Sequence, residues 1–151
     1  MTPRQIERIR TSWSAVEPMA VQAATLFYSQ LFELDPTIKR LFRSADMEKQ
    51  RKVLMQTLSV VVKSLDKLDT IMPAIQALGR RHAGYGVRAE HYETVGVALL
   101  WTLEQGLGEA FDEETRDAWT AAYGTLASVM IGAGEEPVSS YFDGDAATAA
   151  A

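Results

Sequence analysis

The chain has no cysteine among its 151 residues. That excludes disulfides, thiolate zinc sites, cysteine-bound iron–sulfur clusters and any cofactor ligated or linked through cysteine. Histidine is almost as scarce, with 2 in the whole chain, so imidazole chemistry rests on His82 or His91. Glycine and proline number 10 and 5 and fall between periodic segments, which leaves long stretches for helices. Basic excess is also missing: 15 Lys and Arg against 20 Asp and Glu give a net charge of −5, which argues against a broad nucleic-acid surface. No run approaches the ~18 apolar residues of a membrane span, and Met1-Thr2-Pro3-Arg4-Gln5 has no apolar signal core. The expectation is a cytoplasmic protein without a membrane partner.

What is present suits one globular core, with 47% hydrophobic and 23% charged residues. Thr2 with Gln5 three residues on forms a weak capping box, and Pro3 suits a first helical position. Ile6, Ile9, Trp13 and Val16 then recur at helical spacing as far as Pro18. A second helix, from about Met19 to Leu34, has the inward stripe Val21, Ala24, Thr25, Tyr28, Leu31 and Phe32. Asp35-Pro36 opens a short helix over Thr37–Leu41. After Phe42 and a bend, a long helix over about Met47–Leu65 carries Gln50, Leu54, Leu58 and Val61 on one face. Thr70 is expected to cap the next helix, with Ile71, Ile75, Leu78 and His82 on its buried side. A helix from about Ala89 carries Tyr92, Val95, Gly96, Leu99 and Leu103, and Asp112 caps the last one, with Trp119, Tyr123, Leu126 and Met130 inside. Beyond Pro137 the composition shifts to Ser, Asp, Gly and Ala. The expected organisation is one all-α domain over residues 1–136 and a poorly ordered tail over 137–151.

One stretch draws the rest together: Leu78-Gly79-Arg80-Arg81-His82-Ala83-Gly84-Tyr85-Gly86-Val87. It puts a histidine on an apolar face just before two glycines that can end a helix. The plain reading is a packed core histidine; the sharper one is a metal ligand. Tyr28 and Gln50 favour the sharper one, because two polar groups facing inward from separate helices need partners. So does Phe42, an aromatic at a bend where its face can lie on a flat cofactor. Plain readings stand beside these: Tyr28 bonded to a carbonyl, Gln50 at the surface, Arg80 and Arg81 as a solvated face. Trp13, Trp101 and Trp119 read as packing, and His91, at a helix start, is the rival ligand.

The pattern Phe27-Tyr28, Pro36, Leu41-Phe42, Gln50, Leu54, His82, Tyr92 and Trp119-Thr120-Ala121-Ala122-Tyr123 resembles the globins. It is similar to bacterial single-domain haemoglobins, to the haem domain of flavohaemoglobins, and to tyrosine–glutamine globins of acidophilic methane-oxidising bacteria. The likeness runs from about Thr2 to Met130. It implies the globin fold, a three-over-three helical sandwich with helix D short or absent, and haem b (iron protoporphyrin IX) as cofactor. By the same resemblance His82 is the proximal iron ligand, Phe42 wedges the porphyrin, Tyr28 and Gln50 are the distal pair, and Leu54 is the distal wall. Val87 packs against the haem just after the proximal helix, and Arg81 is a candidate propionate partner. Tyr92 matches a tyrosine behind the proximal histidine. Glu136, with Glu135 as the near alternative, matches that tyrosine's glutamate partner, although Gly132-Ala133-Gly134 is expected to end the last helix early.

The resemblance implies binding of dioxygen and other diatomic gases (NO, CO), with high affinity and slow release for dioxygen. Nitric oxide dioxygenase chemistry or weak peroxidase activity are the enzymatic alternatives. No flavin or nicotinamide domain follows, so an enzyme would use a separate reductase. A third reading is a helical domain without haem, with a sensory or regulatory role and a merely packed His82.

Overall fold

The computed structural model describes residues 1–135, and these form seven α-helices joined by short turns. They are α1 (Pro3–Val16), α2 (Ala20–Leu34), α3 (Pro36–Lys39), α4 (Met47–Lys63), α5 (Met72–Gly84), α6 (Ala89–Leu107) and α7 (Glu113–Gly134). One layer of α1, α4 and α5 lies on a second of α2, α6 and α7. α5 and α1 pack on α7, α2 packs on α4 and α6, and α1 reaches α4 and α6. Between the 3-10 turn Arg40–Phe42 and α4 there is no separate helix, in line with the short or absent helix D that the resemblance implied.

The helix starts follow local chemistry. The Thr2 hydroxyl accepts from Gln5 N–H at 3.1 Å and Gln5 Oε1 accepts from Thr2 N–H at 2.9 Å, a reciprocal cap. Asp35, Asp46 and Asp112 each accept from backbone N–H groups at the starts of α3, α4 and α7. The Asp46 bonds, 3.1 and 3.3 Å to Glu48 and Lys49 N–H, set where α4 begins and so place Gln50 one turn in.

Two expectations needed correcting. Val21 and Thr25 are exposed: the buried face of α2 is Ala23, Ala24, Phe27, Tyr28 and Leu31, displaced from the expected stripe. The reason is that α2 is buried along the side facing α4 and α6, and Val21 and Thr25 turn away from both. Thr70 does not cap α5. Its hydroxyl donates to Lys67 C=O at 2.7 Å, and Ile71 stands at the helix start. As expected, α7 ends within Gly132-Ala133-Gly134, its last residue being Gly134, ahead of Glu135.

Glycines let two helix pairs approach closely. A Cβ on Gly79 would stand 2.4 Å from Met130 C=O, and one on Gly96 would stand 2.8 Å from the Tyr123 ring. Both contacts fix α7, the first against α5 and the second against α6. Gly86, at φ +95, makes the turn out of α5 in a conformation that disfavours other residues.

The apolar interior falls into two clusters. The larger joins α1, α2, α4, α6 and α7 and includes Tyr28 and Leu54, with Phe42 packed on it. The smaller gathers Ile75, Tyr92 and Met130 with Leu78, Val87 and Leu126. No helix among the described residues is long and apolar enough to cross a membrane.

Candidate functional site

The two clusters carry the two halves of the expected site. On the α5 side, His82 is 8% exposed and its Nδ1 lies 2.9 Å from Leu78 C=O. A carbonyl can only accept, so Nδ1 carries the proton and the lone pair of the neutral ring is on Nε2. The Tyr92 ring lies beside it, with centroids 6.3 Å apart and planes at 31°. Val87 is half-buried in the same cluster, and its N–H donates to His82 C=O at 3.0 Å, which ties the chain after α5 to the histidine's own residue. Burial pushes the Tyr92 phenol up to about 12.

On the other side an aromatic group surrounds Tyr28. Its ring meets Phe27 edge-on at 5.0 Å and Phe42 edge-on at 5.6 Å, and Phe32 lies 6.0 Å away. Phe42 therefore sits against the tyrosine. Gln50 is 6% exposed and Leu54 8%, one turn further along α4. The Tyr28 hydroxyl and Gln50 Nε2 are both buried, and neither makes a hydrogen bond. Burial pushes the Tyr28 phenol well above its usual value; the nearby Gln50 amide and Arg51 charge pull it back only in part. The phenol thus stays protonated and able to donate.

Two such donors without acceptors destabilise a core by about 1–3 kcal/mol each. Their presence is explained if a ligand held between the clusters supplies the acceptor. Among the described residues no group of three or more His, Cys, Asp or Glu could hold a metal ion. Ligation through His82 therefore calls for a metal that brings its own remaining ligands, as a porphyrin iron does. An imidazole with its lone pair on Nε2, two donors lacking acceptors and an aromatic at the bend fit such a group.

The other candidates are placed as follows. His91 is a helix cap: its Nδ1 accepts from Arg88 N–H at 2.9 Å, which accounts for the rival ligand by a local bond. Arg81 is half-buried beside His82 in sequence. Glu135 is exposed at the end of α7, and Glu136 and the tail over 137–151 lie outside the described residues. Trp13 and Trp119 are core residues, and Trp101 is half-buried.

One residue's part was not legible beforehand. The Tyr123 hydroxyl donates to Tyr92 C=O at 2.5 Å while its ring covers Gly96. Periodicity put Tyr123 inside without saying what it would hold. A glycine four residues after Tyr92 was the available signal, because it opens room for an aromatic ring.

A family model described as Globin matches residues 25–130. The chain belongs to the globin family, whose members bind haem and diatomic gases. Among curated relatives, a flavohemoprotein of Bordetella parapertussis is 34% identical over 108 residues, 70% of this chain. The chain spans about a quarter of that relative's length, since the match covers 27% of it. Among solved structures, an engineered carbene transferase made from RmaNOD of Rhodothermus marinus superposes with a TM-score of 0.80 at 27% identity, covering 89% of this chain and 93% of that one. A bacterial globin from Campylobacter jejuni gives 0.77 at 28% identity, covering 89% and 96%.

Proposed function

We propose that this globin holds haem b and binds dioxygen reversibly, with high affinity and slow release. The observation that carries the reading is the pair of buried donors without acceptors, Tyr28 Oη and Gln50 Nε2. In this reading His82 Nε2 holds the iron, Phe42 lies against the porphyrin, Leu54 walls the distal side, Val87 packs on the proximal side and Arg81 meets a propionate. Bound haem would supply the iron that takes up diatomic gases, dioxygen, nitric oxide and carbon monoxide among them.

The chain's own contribution is selection among those gases. Tyr28 and Gln50 donate to a ligand that carries partial negative charge and gain little from a neutral one. At about 1–1.5 kcal/mol each, two such bonds slow release roughly a hundredfold. Leu78 C=O orients the His82 ring and strengthens its donation, as an outer hydrogen bond to a ligating imidazole does. Stopped-flow measurement of dioxygen release tests this, with slow release expected. Rapid release from the wild-type protein would sink the reading.

A second reading, nitric oxide dioxygenase working with a separate reductase, is favoured by the Tyr92 ring beside His82. The names of two similar proteins support it: a flavohemoprotein, and RmaNOD, described as a candidate nitric oxide dioxygenase. Tyr92, with Glu136 as its proposed partner, would act on the His82 side, and Tyr28 and Gln50 would orient the gas. Sustained nitric oxide consumption with an added reductase is the discriminating result. A single burst of nitrate, which many oxygenated globins give, leaves only the dioxygen-binding reading.

A further inference from the structure

The charges of this chain are unevenly placed. Residues 39–52 hold six basic side chains, Lys39, Arg40, Arg43, Lys49, Arg51 and Lys52, against two acidic ones, Asp46 and Glu48. Of the chain's 15 Lys and Arg and 20 Asp and Glu, that leaves 9 and 18 elsewhere. A positive segment thus stands in a molecule whose net charge is −5. Among the described residues none of the six enters an ion pair. Five of them are exposed and Arg51 is half-buried.

The same segment frames the candidate site. Arg40 and Arg43 flank Phe42, whose ring meets Tyr28, and Lys49 and Arg51 flank Gln50. The turn after α5 closes on this edge: a Cβ on Gly86 would lie 3.6 Å from Leu41 Cδ2, and the exposed Arg88 follows two residues later. Arg51 is the least exposed of the six, and its charge is felt inside. Burial raises the Tyr28 phenol, and Arg51 acts on it in the opposite sense. Behind this rim are Tyr28 Oη and Gln50 Nε2, the two buried donors without acceptors. Rim and interior therefore share one preference. A neutral gas gains nothing from such a field, whereas a small anion is drawn along it and brings lone pairs for both donors.

We propose that the basic rim over residues 39–52 steers small monovalent oxyanions, of the nitrite class, into the site, with Arg51 as the station between the rim and the Tyr28 and Gln50 donors. The proposal rests on the haem reading above and adds a charged class of ligand to the diatomic gases. No bond is made or broken in this step. The rim charges raise the rate of arrival, and Arg51 with the two donors slows departure. Exposed rim charges are screened by salt, while the half-buried Arg51 is screened less. Phe42 and Leu54 are apolar walls, so the polar contacts available to an entering ion are few and the ion has to be small.

The test uses the ferric holoprotein, with a Soret band and unchanged helical circular dichroism confirmed for every variant. Nitrite binding is followed by stopped flow as a shift of that band, with nitric oxide as the neutral comparison. Between about 10 mM and 500 mM salt the nitrite association rate is expected to fall about tenfold, while that of nitric oxide stays level. Lys49→Glu with Lys52→Glu should slow nitrite association about tenfold at low salt and leave its dissociation unchanged. Lys63→Glu with Lys67→Glu reverses the same number of charges at the other end of α4 and should cost less than about twofold. Arg51→Gln should speed nitrite dissociation about tenfold, with Arg51→Lys recovering most of the loss. Nitrite association indifferent to salt, equal losses from the two charge-reversed pairs, or unchanged dissociation in Arg51→Gln overturns the proposal and leaves the haem reading intact. A ferric protein that takes up nitric oxide but no nitrite does the same. Absence of the Soret band overturns both.

Discussion

A tyrosine hydroxyl buried without an acceptor destabilises the fold until a ligand supplies one. Tyr28→Phe should therefore act in opposite directions on the two forms of the protein. In the haem-free form it removes an unsatisfied group and is expected to leave stability unchanged or raise it by about 1 kcal/mol, read from urea midpoints. In the haem-loaded form it should speed dioxygen release about tenfold, as should Gln50→Leu, one donor being lost in each case. If Tyr28→Phe slows release, the hydroxyl does not face the gas. For His82 the expectation is sharper: His82→Ala should abolish the Soret band while circular dichroism stays helical, whereas His91→Ala should keep the band and cost only a helix cap, about 1 kcal/mol.

At the scale of elements, α7 is held by contacts that admit no side chain. The closest is Gly79 against Met130 C=O. Since backbone cannot yield as a flexible side chain can, Gly79→Ala has to push α5 from α7. The expected cost is about 1–3 kcal/mol in thermal or urea unfolding, together with faster haem loss because His82 rides on α5. An unchanged melting temperature would show that the two helices do not approach as described. Gly96→Ala meets the Tyr123 ring instead, which can swing, so its expected cost is smaller and its mark is a broken Tyr123–Tyr92 bond. The end of α4 is tied differently. Arg10 donates to Val62 and Lys63 C=O at 3.2 and 3.0 Å and pairs with Asp66 at 2.9 Å. This contact is exposed, and Arg10→Ala should cost no more than about 1 kcal/mol.

Across the whole molecule, pH acts through two sets of groups. Thr37 bonds hold Asp35 below the usual carboxylate range, Arg10 does so for Asp66, Thr115 N–H for Asp112, and Arg4 and Arg8 for Glu114. Their folded values lie below their unfolded ones, so the stabilisation is full above about pH 4 and is lost as pH falls through the folded values. Asp66 and Asp112 are exposed and Asp35 and Glu114 half-buried, so the loss should be modest and, for the arginine pairs, weakened by salt. Urea midpoints at falling pH and two salt concentrations measure this. Tyr28, Tyr92 and Tyr123 run the other way, raised by burial, with Tyr92 at about 12. Their contribution is complete below about pH 10 and is lost as pH climbs through the folded values. Three of the 5 tyrosines should therefore give tyrosinate absorbance only above about pH 12 or on alkaline unfolding. Early titration of all five would mean an open core.

The sequence by itself determined the helices, the caps at Thr2, Asp35 and Asp112, the end of α5 at the glycines and the burial of His82, Tyr28 and Gln50. These are local signals: a cap bonds within three residues and an amphipathic period repeats every turn, so each can be read from its own segment. The same locality explains the misses at Val21, Thr25 and Thr70, where weak polar or β-branched residues fit either face or either role until neighbouring helices decide. Only the tertiary structure decided that the interior splits into two clusters with the donors on one and the imidazole on the other. It alone assigned Tyr123 to the Tyr92 carbonyl and brought the turn at Gly86 against Leu41. Those meetings join residues tens of positions apart, and their distances follow from helix packing at small residues such as Gly79 and Gly96, which no single-segment rule encodes.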